Sequence, residues 1–326
     1  MNEDFSIAID RFLNHKVMVM GDIMLDHYTF GEISHISSEA PVLVVKKSKD
    51  DFFLGGAANV ANNLVTLGAE VSLCGFVGSD WRRDTILKLL NEKGIRNQAV
   101  FVSKRPTTLK HRLVIGKHQV LRLDDESTEN FGPEEEQKLI SAVEFEIKNC
   151  DAVILSDYNK GLFSPVLTQA VIRLAGANQK RIIADVKPKN KEFFRGVDVI
   201  TPNLKEGKEM TGANDVLGIG KKLLDDFGAD VVLTLGEKGI HTFEKNGVAE
   251  HLPAMKADVF DITGAGDTVV AALTLSLLSQ LSLVKAAKLA NYAGGVVVQK
   301  YGTATLSLEE LKSTLNSRHV MEVGEI

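Results

Sequence analysis

Short apolar segments alternate with segments of helical length along most of this chain, and this alternation limits its fold more than any other feature. Residues 71–77, 152–156, 181–184 and 230–235 are rich in apolar and β-branched types. Parallel strands need a crossover of a dozen or more residues between them, usually a helix. The alternation therefore predicts an α/β fold with a doubly wound, mainly parallel sheet flanked by helices.

The composition is that of a globular protein, and we expect residues 1–326 to form a single domain. Hydrophobic residues make up 44% of the chain and charged residues 25%, with only 7 prolines, which argues against disordered and fibrous classes. The net charge of −5 argues against nucleic-acid binding, because that function needs clustered basic surface.

Residues 1–15 carry acidic side chains among apolar ones, which predicts a first helix rather than a signal peptide. The long apolar run after Gly266 contains too many polar groups for a membrane span. Cys74 and Cys150 lie in apolar stretches without nearby metal-ligand partners, so we expect buried free thiols. A cytoplasmic protein with no membrane partner fits these features.

Three predicted strands end in polar side chains. These residues are Asp22, Asp157, Lys160, Asp185 and Lys187. The carboxyl ends of parallel strands meet at one edge of a sheet, where ligands bind, so the five residues are candidates for one crevice. The basic run at residues 187–195 also fits a solvated surface.

A second, smaller sheet is predicted to cover this crevice as a lid. Residues 26–30 and 41–46 have the pattern of exposed antiparallel strands, and residues 107–123 form a hairpin around Gly116-Lys117. The lid would comprise about residues 27–46 and 107–123. Its cations Lys110, Arg112 and Arg122 can face either a ligand or water.

Gly55 and Gly56 open a predicted helix, where the lack of side chains lets a ligand approach the backbone, and Asn59 offers an amide to a hydroxyl group. Asn203 and Glu206 are three residues apart. That spacing fits Mg²⁺ binding through water, and it also fits a helix capping box.

The segment from Asp261 to Asp267 reads Asp-Ile-Thr-Gly-Ala-Gly-Asp and leads into the apolar run. Backbone N–H groups of residues 264–266 at a helix start can bind an anion, and Asp267 is placed to take a proton from an attacking hydroxyl. The alternative is a glycine turn that leads into a buried helix. The combination of this segment with the other motifs decides between the two.

Together, these motifs resemble the ribokinase, or PfkB, family of carbohydrate kinases from about residue 16 to residue 315. Residues 31–33, 37–42 and 121–124, with the Gly-Gly and Thr-Thr-Leu-Lys-His-Arg stretches, resemble the heptose 7-phosphate kinase branch. This resemblance implies phosphorylation of C1 of D-glycero-β-D-manno-heptose 7-phosphate, on the route to ADP-heptose and lipopolysaccharide core. Ile262 departs from the small or hydroxyl residue of many members. Because the branch often carries a fused nucleotidyltransferase domain, a chain ending at Ile326 is expected to be a kinase-only form or a piece of a longer protein.

The resemblance also implies roles for individual residues. Asp267 would be the general base, and Gly264, Ala265 and Gly266 would form the anion hole. The expected ATP and Mg²⁺ contacts are Asn203, Glu206, Thr234, Gly236 and Gly239. The expected sugar contacts are Asp22, Gly55, Gly56, Asn59 and Asp157. The cations proposed for the substrate phosphate are Lys110, Arg112, Lys160 and Lys187.

Family likeness further implies a homodimer joined through the lids, and a monovalent cation, K⁺, near Asp261 and Thr263. Two rival functions stay open. One is another sugar, sugar-phosphate or nucleoside kinase of the same family, and the other is a catalytically silent sugar-binding protein. An unbroken Gly-Ala-Gly turn followed by Asp267 argues against the second, because binding alone needs no base.

Overall fold

The computed structural model describes residues 3–116, 118–255 and 257–323. Its strands are β1 (Lys16–Gly21), β2 (Ile23–Ile36), β3 (Leu43–Gly56), β4 (Glu70–Val77), β5 (Arg96–Val102), β6 (Thr108–Ile115), β7 (His118–Asp125), β8 (Ala152–Ser156), β9 (Arg181–Asp185), β10 (Val199–Ile200), β11 (Asp230–Thr234), β12 (Ile240–Phe243) and β13 (Ala249–Leu252). Its helices are α1 (Glu3–Asp10), α2 (Ala57–Thr66), α3 (Trp81–Glu92), α4 (Pro133–Glu146), α5 (Pro165–Ala177), α6 (Leu204–Thr211), α7 (Val216–Phe227), α8 (Ala265–Leu278), α9 (Leu283–Val297) and α10 (Leu308–Val323).

The main sheet confirms the predicted α/β architecture. Within the described residues its nine strands run in the order β13-β12-β11-β10-β9-β8-β1-β4-β5. All neighbours from β11 to β5 pair in parallel, whereas β12 and β13 add an antiparallel edge. The strand order reverses direction between β1 and β8, since the chain continues from β1 to β4 on one side and from β8 to β9 on the other, and at such a point the crevice at the carboxyl ends opens to ligands.

Helices cover both faces of this sheet. Val17 and Val19 of β1 pack into a core shared with α2, α8 and α9. Met18 and Met20 point the other way, into a core shared with α4, α5 and α7. Successive side chains of a strand face opposite sides, so a strand buried on both faces must be continuously apolar. This explains why β1 lacks the apolar-polar alternation of an exposed strand.

Four strands form a separate small sheet, called the lid sheet below, in the order β3-β2-β6-β7. The predicted strands were too short, because β2 and β3 each run for 14 residues. The antiparallel expectation holds for β2 with β3 and for β6 with β7, but β2 and β6 pair in parallel. Gly116 lies in the predicted hairpin turn with φ of +61°, and Lys117 is outside the described residues.

Helix α8 is buried on all sides from Asp267 to Leu277, so the apolar run after Gly266 is a core helix, as predicted. Among the described residues, no helix is both long enough and apolar enough to cross a membrane. The Gly-Gly pair lies at the start of α2, as predicted, and Gly56 is its N-cap with φ of +57°. Gly55 and Gly56 end β3, and α2 begins at Ala57.

Candidate active site

A cleft of about 310 Å³ lies between the carboxyl ends of the main sheet and the lid sheet. The described residues that line it are Met24, Asp26, Gly56, Lys110, Arg112, Arg122, Tyr158, Asp185, Lys187, Thr201, Asn203, Glu206, Thr234, Thr263, Gly264, Gly266, Asp267, Val269, Val270 and Thr303. The set combines cations, carboxylates and a helix start. Such a lining suits a charged, polar ligand rather than an apolar one.

Asp267 lies in the first turn of α8, only 7% exposed, and two donors orient its carboxylate. The amide of Asn59 on α2 donates to Oδ2 at 2.6 Å, and the hydroxyl of Tyr158 donates to Oδ1. Burial raises the pKa of Asp267 to about 7, although both hydrogen bonds act to lower it. A carboxylate with a pKa near neutrality is well suited to accept a proton from a hydroxyl group.

The glycine turn before α8 brings the start of this helix to the cleft. Gly264 caps the helix with φ of +79°, a conformation that glycine adopts without strain. Gly264 and Gly266 line the cleft, and a Cβ at Gly264 would lie 2.8 Å from Nδ2 of Asn59. Ala265 differs from its neighbours, because its N–H donates to the carbonyl of Ile262 at 3.3 Å. The turn therefore presents the two glycines rather than all three residues.

A group of three charged residues also lines the cleft. Nζ of Lys187 lies 2.7 Å from Oε1 of Glu206 and 3.4 Å from Oδ1 of Asp185. Burial opposes the charge on Lys187, but the two carboxylates raise its pKa above the usual value. Lys187 is thus a permanent cation in the cleft, not part of the exposed basic face that its sequence neighbours also suggested.

Asn203 and Glu206 form the capping box that was one of the two sequence interpretations. The Asn203 side chain accepts from the Glu206 N–H at 3.0 Å, and the Asn203 N–H donates to Oε2 of Glu206 at 2.9 Å. Both residues line the cleft beside Thr234, whose backbone bridges to Asn203. Capping does not remove Glu206 from the site, because its second oxygen faces Lys187.

Three cations of the lid sheet line the same cleft. Nη1 of Arg112 donates to Oδ1 of Asp26 at 2.5 Å, and the guanidinium stacks on the ring of Tyr28. Lys110 lies 3.3 Å from Asp124 and 3.4 Å from Glu126. Arg122 also lines the cleft, and its side chain is 52% exposed.

Lys160 is a predicted substrate cation that the structure does not bring to this cleft. Its Nζ pairs with Oε1 of Glu126 at 2.6 Å, and it lines a separate small cavity beneath the loop after β8. Glu126 therefore joins Lys160 of the main body to Lys110 of the lid sheet. The expectation for Lys160 is corrected on this point, whereas Lys110, Arg112 and Lys187 do line the cleft.

Two carboxylates that were predicted to line the crevice bind backbone N–H groups of neighbouring loops instead. Asp22 accepts N–H groups from Tyr158, Lys160 and Leu162 at 2.8, 3.1 and 3.3 Å. Asp157 is fully buried and accepts from the backbone of Asn159 and Lys187. Neither residue is among the described residues that line the cleft, because backbone donors already surround both carboxylates.

Gly55 does not line the cleft, but it makes room for a residue that does. A Cβ at Gly55 would lie 2.8 Å from Oδ2 of Asp26. Gly236 and Gly239 form a tight turn between β11 and β12, and the N–H of Gly239 donates to the carbonyl of Gly236. Their positive φ angles account for glycine at both positions without a ligand.

Asp261 ties two loops together at the base of the glycine turn. Its oxygens accept N–H groups of Thr263 at 2.9 Å and Gly302 at 3.1 Å. Thr263 lines the cleft. A monovalent cation bound near this pair stays a prediction.

Sequence reasoning missed two residues that stand at the centre of the site, Asp26 and Tyr158. Asp26 follows Asp22 by four residues, and its pairing with a cation of the lid became visible only with the strand register. Tyr158 directly follows Asp157 at the end of a predicted strand, and its local sequence indicates no role. Its contact with Asp267 joins residues 109 positions apart.

This geometry agrees with a family match. The pfkB family of carbohydrate kinases matches residues 14–311. The chain belongs to this family. As a pfkB family member, it is a sugar kinase.

Curated relatives and solved structures of the pfkB family extend the match. The bifunctional protein HldE of Wolinella succinogenes is 40% identical over 321 residues, which cover 96% of this chain and 67% of the relative. HldE of Aliarcobacter butzleri is 38% identical over 311 residues, covering 93% of this chain and 65% of the relative. The chain thus spans about two-thirds of the length of these relatives.

Two solved structures show the same fold at low sequence identity. Arabidopsis thaliana ribokinase, complexed with ribose and ATP, has a TM-score of 0.72 and 20% identity, and the match covers 92% of this chain and 98% of the other. Phosphofructokinase-2 from Escherichia coli, in complex with potassium, has a TM-score of 0.77 and 18% identity, with 93% and 99% covered.

Proposed function

We propose that the chain is an ATP-dependent kinase that phosphorylates the C1 hydroxyl of D-glycero-β-D-manno-heptose 7-phosphate. The observation that carries this proposal is a single cleft that brings Asp267 and the glycine turn before α8 together with the lid cations. An acceptor with its own phosphate needs cations at the end of the cleft remote from the reacting hydroxyl. The HldE relatives, at about 40% identity, support the heptose branch.

Asn59 and Asp267 would hold the acceptor hydroxyl. Asn59 is fully buried, and its Oδ1 has no hydrogen-bond partner among the described residues. A buried carbonyl oxygen without a donor is costly, so its position next to Asp267 is suited to a sugar hydroxyl as the donor. Each oxygen of Asp267 accepts one hydrogen bond from the protein. A lone pair therefore remains to take the proton of the sugar hydroxyl.

Polar groups at the other end suit a nucleotide and Mg²⁺. Oγ1 of Thr303 is buried, lines the cleft and lacks a hydrogen-bond partner among the described residues, as expected of a donor to a phosphate. Asp185 and Glu206 would hold Mg²⁺ through water, since that ion keeps much of its hydration shell. Bound there, ATP and Mg²⁺ supply the phosphoryl group and neutralise its charge.

The chain's own residues would then act in two ways. Asp267 in its ionised form takes the proton from the C1 hydroxyl as that oxygen forms its bond to the γ-phosphorus of ATP, and the bond from this phosphorus to the departing ADP breaks. The backbone at Gly264 and Gly266 and the ammonium of Lys187 stabilise negative charge that spreads over the transferring group. Because Lys187 is held by Asp185 and Glu206, it requires no reorganisation during the reaction.

Lys110, Arg112 and Arg122 are the residues that we assign to the 7-phosphate. Arg112 has one carboxylate partner, Asp26, and further donors on its guanidinium. Arg122 is half exposed, and its Nε pairs with Oδ1 of Asp124 at 3.0 Å, a surface contact weak enough to be exchanged for a phosphate. A closing lid sheet would bring these groups onto the substrate and exclude water.

The lid sheet also carries the surface that we propose for a homodimer. Seven of its apolar side chains are exposed: Ile33, Ile36, Val42, Leu43, Val120, Leu121 and Leu123. A cluster of exposed apolar residues on a small sheet marks a binding surface, and a second copy of the same sheet would cover it.

A substrate panel tests the proposed function. The purified enzyme is offered heptose 7-phosphate, fructose 6-phosphate, ribose and adenosine with ATP and Mg²⁺, and ADP release is measured. We expect kcat/KM to be highest for heptose 7-phosphate. Preference for another acceptor would favour the rival sugar or nucleoside kinase.

A further inference from the structure

The loop after β8, residues 157–162, is held by a buried carboxylate at the end of the neighbouring strand β1. Asp22, at the end of β1, accepts hydrogen bonds from three backbone N–H groups of this loop, those of Tyr158, Lys160 and Leu162. A carboxylate that accepts several backbone N–H groups is a strong local constraint, because each is a charge-assisted hydrogen bond. Asp22 therefore fixes every second residue of the loop.

The backbone of this loop is also strained, so its shape depends on such support. Asn159 has φ of +55°, and Gly161 has φ of +86°. A Cβ at Gly161 would lie 1.9 Å from the carbonyl oxygen of Glu129, which leaves glycine as the residue that fits. Unusual conformations persist when the surroundings determine them strongly, and they are common near functional sites.

This arrangement fixes the position of Tyr158. Its N–H is the donor closest to Asp22, at 2.8 Å, and its hydroxyl donates to Oδ1 of Asp267. One residue thus links the carboxylate beneath the loop to the carboxylate in the cleft. Burial and the neighbouring Asp267 raise the pKa of Tyr158 well above its usual value, so Tyr158 acts as a donor at every working pH.

We propose that Tyr158 keeps Asp267 ionised and oriented for proton transfer, and that Asp22 is the positioning residue that holds Tyr158 in place. The inference rests on the proposed function, in which Asp267 is the base. Nothing in the pfkB match assigns either role. Removing the Tyr158 hydroxyl takes away a donor that favours the charged carboxylate, so the neutral form of Asp267 should persist to higher pH.

Other groups near Tyr158 and Asp267 do not replace the hydrogen bond that the Tyr158 hydroxyl donates to Asp267. Lys187 lies 5.4 Å from the centre of the Tyr158 ring, and Asp185 opposes the ionisation of Asp267. Asn59 donates to the other oxygen of Asp267. The charge of Asp26 also acts on the Tyr158 hydroxyl.

Tyr158→Phe tests the first half of the proposal through the pH dependence of kcat/KM. We expect the acidic limb to move up by about one pH unit, which is about a tenfold loss at pH 6 and little loss at pH 9. Tyr301→Phe is the matched control, because its hydroxyl has no hydrogen-bond partner among the described residues. It should leave the limb in place. An equal loss at every pH, or an unmoved limb in Tyr158→Phe, would overturn the proposal.

Asp22→Asn tests the second half. It should move the limb in the same direction, and the double variant with Tyr158→Phe should show no further movement, since both changes act through one hydroxyl. If thermal melting shows that Asp22→Asn does not fold, Gly161→Ala, which displaces the same loop, is used as the test variant in its place. Additive shifts would refute the positioning role. An inactive Asp267→Asn together with an unmoved limb in Tyr158→Phe would reject this inference alone, whereas an active Asp267→Asn would reject the proposed function.

Discussion

The guanidinium of Arg112 on β6 and the carboxylate of Asp26 on β2 form a buried ion pair at 2.5 Å, with side chains only 8% and 4% exposed. Two adjacent parallel strands of the lid sheet hold the pair, and it faces the cleft. Removing one member of such a pair leaves an uncompensated buried charge. The pair therefore links the stability of the lid sheet to the charge that a substrate phosphate meets.

Arg112→Ala should lower thermal stability and raise KM for the sugar phosphate. Breaking a buried pair costs about 3–5 kcal/mol, and a lost phosphate contact should raise KM at least about tenfold. Arg122→Ala is the control, since its exposed side chain should affect KM with little change in melting temperature. Melting curves and KM for acceptors with and without a phosphate measure both effects. An equal rise in KM for the acceptors with and without a phosphate would show that Arg112 does not bind the substrate phosphate.

Asp267→Asn should lower kcat by about 10²–10⁴-fold, because the amide cannot take the proton. Nucleotide affinity should stay unchanged, since Asp267 faces the acceptor in the proposed complex. Steady-state kinetics and calorimetric titration with ATP analogues separate the two quantities. Turnover close to that of the parent chain would exclude Asp267 as the base.

The activity of the unmodified protein should fall on the acidic side of about pH 7. The pKa of Asp267 is raised to about 7 by burial, and only its ionised form is a base, so kcat/KM is expected to drop about tenfold for each further pH unit below that value. Measuring kcat/KM across a pH series in a buffer of constant ionic strength defines this acidic limb. If kcat/KM stayed constant down to pH 5.5, protonation of Asp267 could not be the cause of the acidic limb.

Gly264→Ala should abolish most activity. The substitution places a Cβ 2.8 Å from the Asn59 amide and forces alanine into a left-handed conformation, so the turn before α8 must move. Gly212→Ala controls for the backbone strain alone, because its φ is +67° and the described residues leave open space around its Cβ position. We expect Gly212→Ala to lose about 1–2 kcal/mol of stability and to keep its kcat. Similar kcat values for the two variants would argue against the glycine turn as an anion site.

Charged substitutions on the lid sheet should produce monomers. Leu121 and Leu123 are exposed on β7, and replacing both by aspartate would place like charges on each side of the proposed dimer interface. Val166→Asp on α5 adds charge at an equally exposed apolar position outside the lid sheet. Light scattering coupled to size exclusion should show a dimer for the parent and for Val166→Asp. A parent chain that is already monomeric would reject the interface.

The architecture was predictable because it depends on local pattern. Continuous apolar strands and intervening helices specify a parallel sheet, and the helix after Gly266 was recognisable from its composition. Asp267, Gly264 and Gly266 were found for the same reason, since all three belong to one short motif. Strand lengths in the lid sheet were less accessible, because the polar residues between residues 46 and 51 interrupt the pattern without ending β3.

Residues whose role depends on distant partners were harder to assign. Asp22 and Asp26 are both acidic and only four positions apart, yet one supports a loop and the other faces Arg112. Their roles differ because the chain leaves the main sheet at Asp22 and enters the lid sheet at Ile23. Lys110 and Lys160 were equivalent candidates by charge, and only the folded chain separates the two.

Glu206 closes the capping box of α6 with one oxygen and pairs with Lys187 through the other. A single side chain thus serves both the start of a helix and the electrostatics of the cleft. Engineering at this position cannot adjust heat resistance and catalytic rate independently. Directed evolution for thermostability should therefore leave Glu206 untouched.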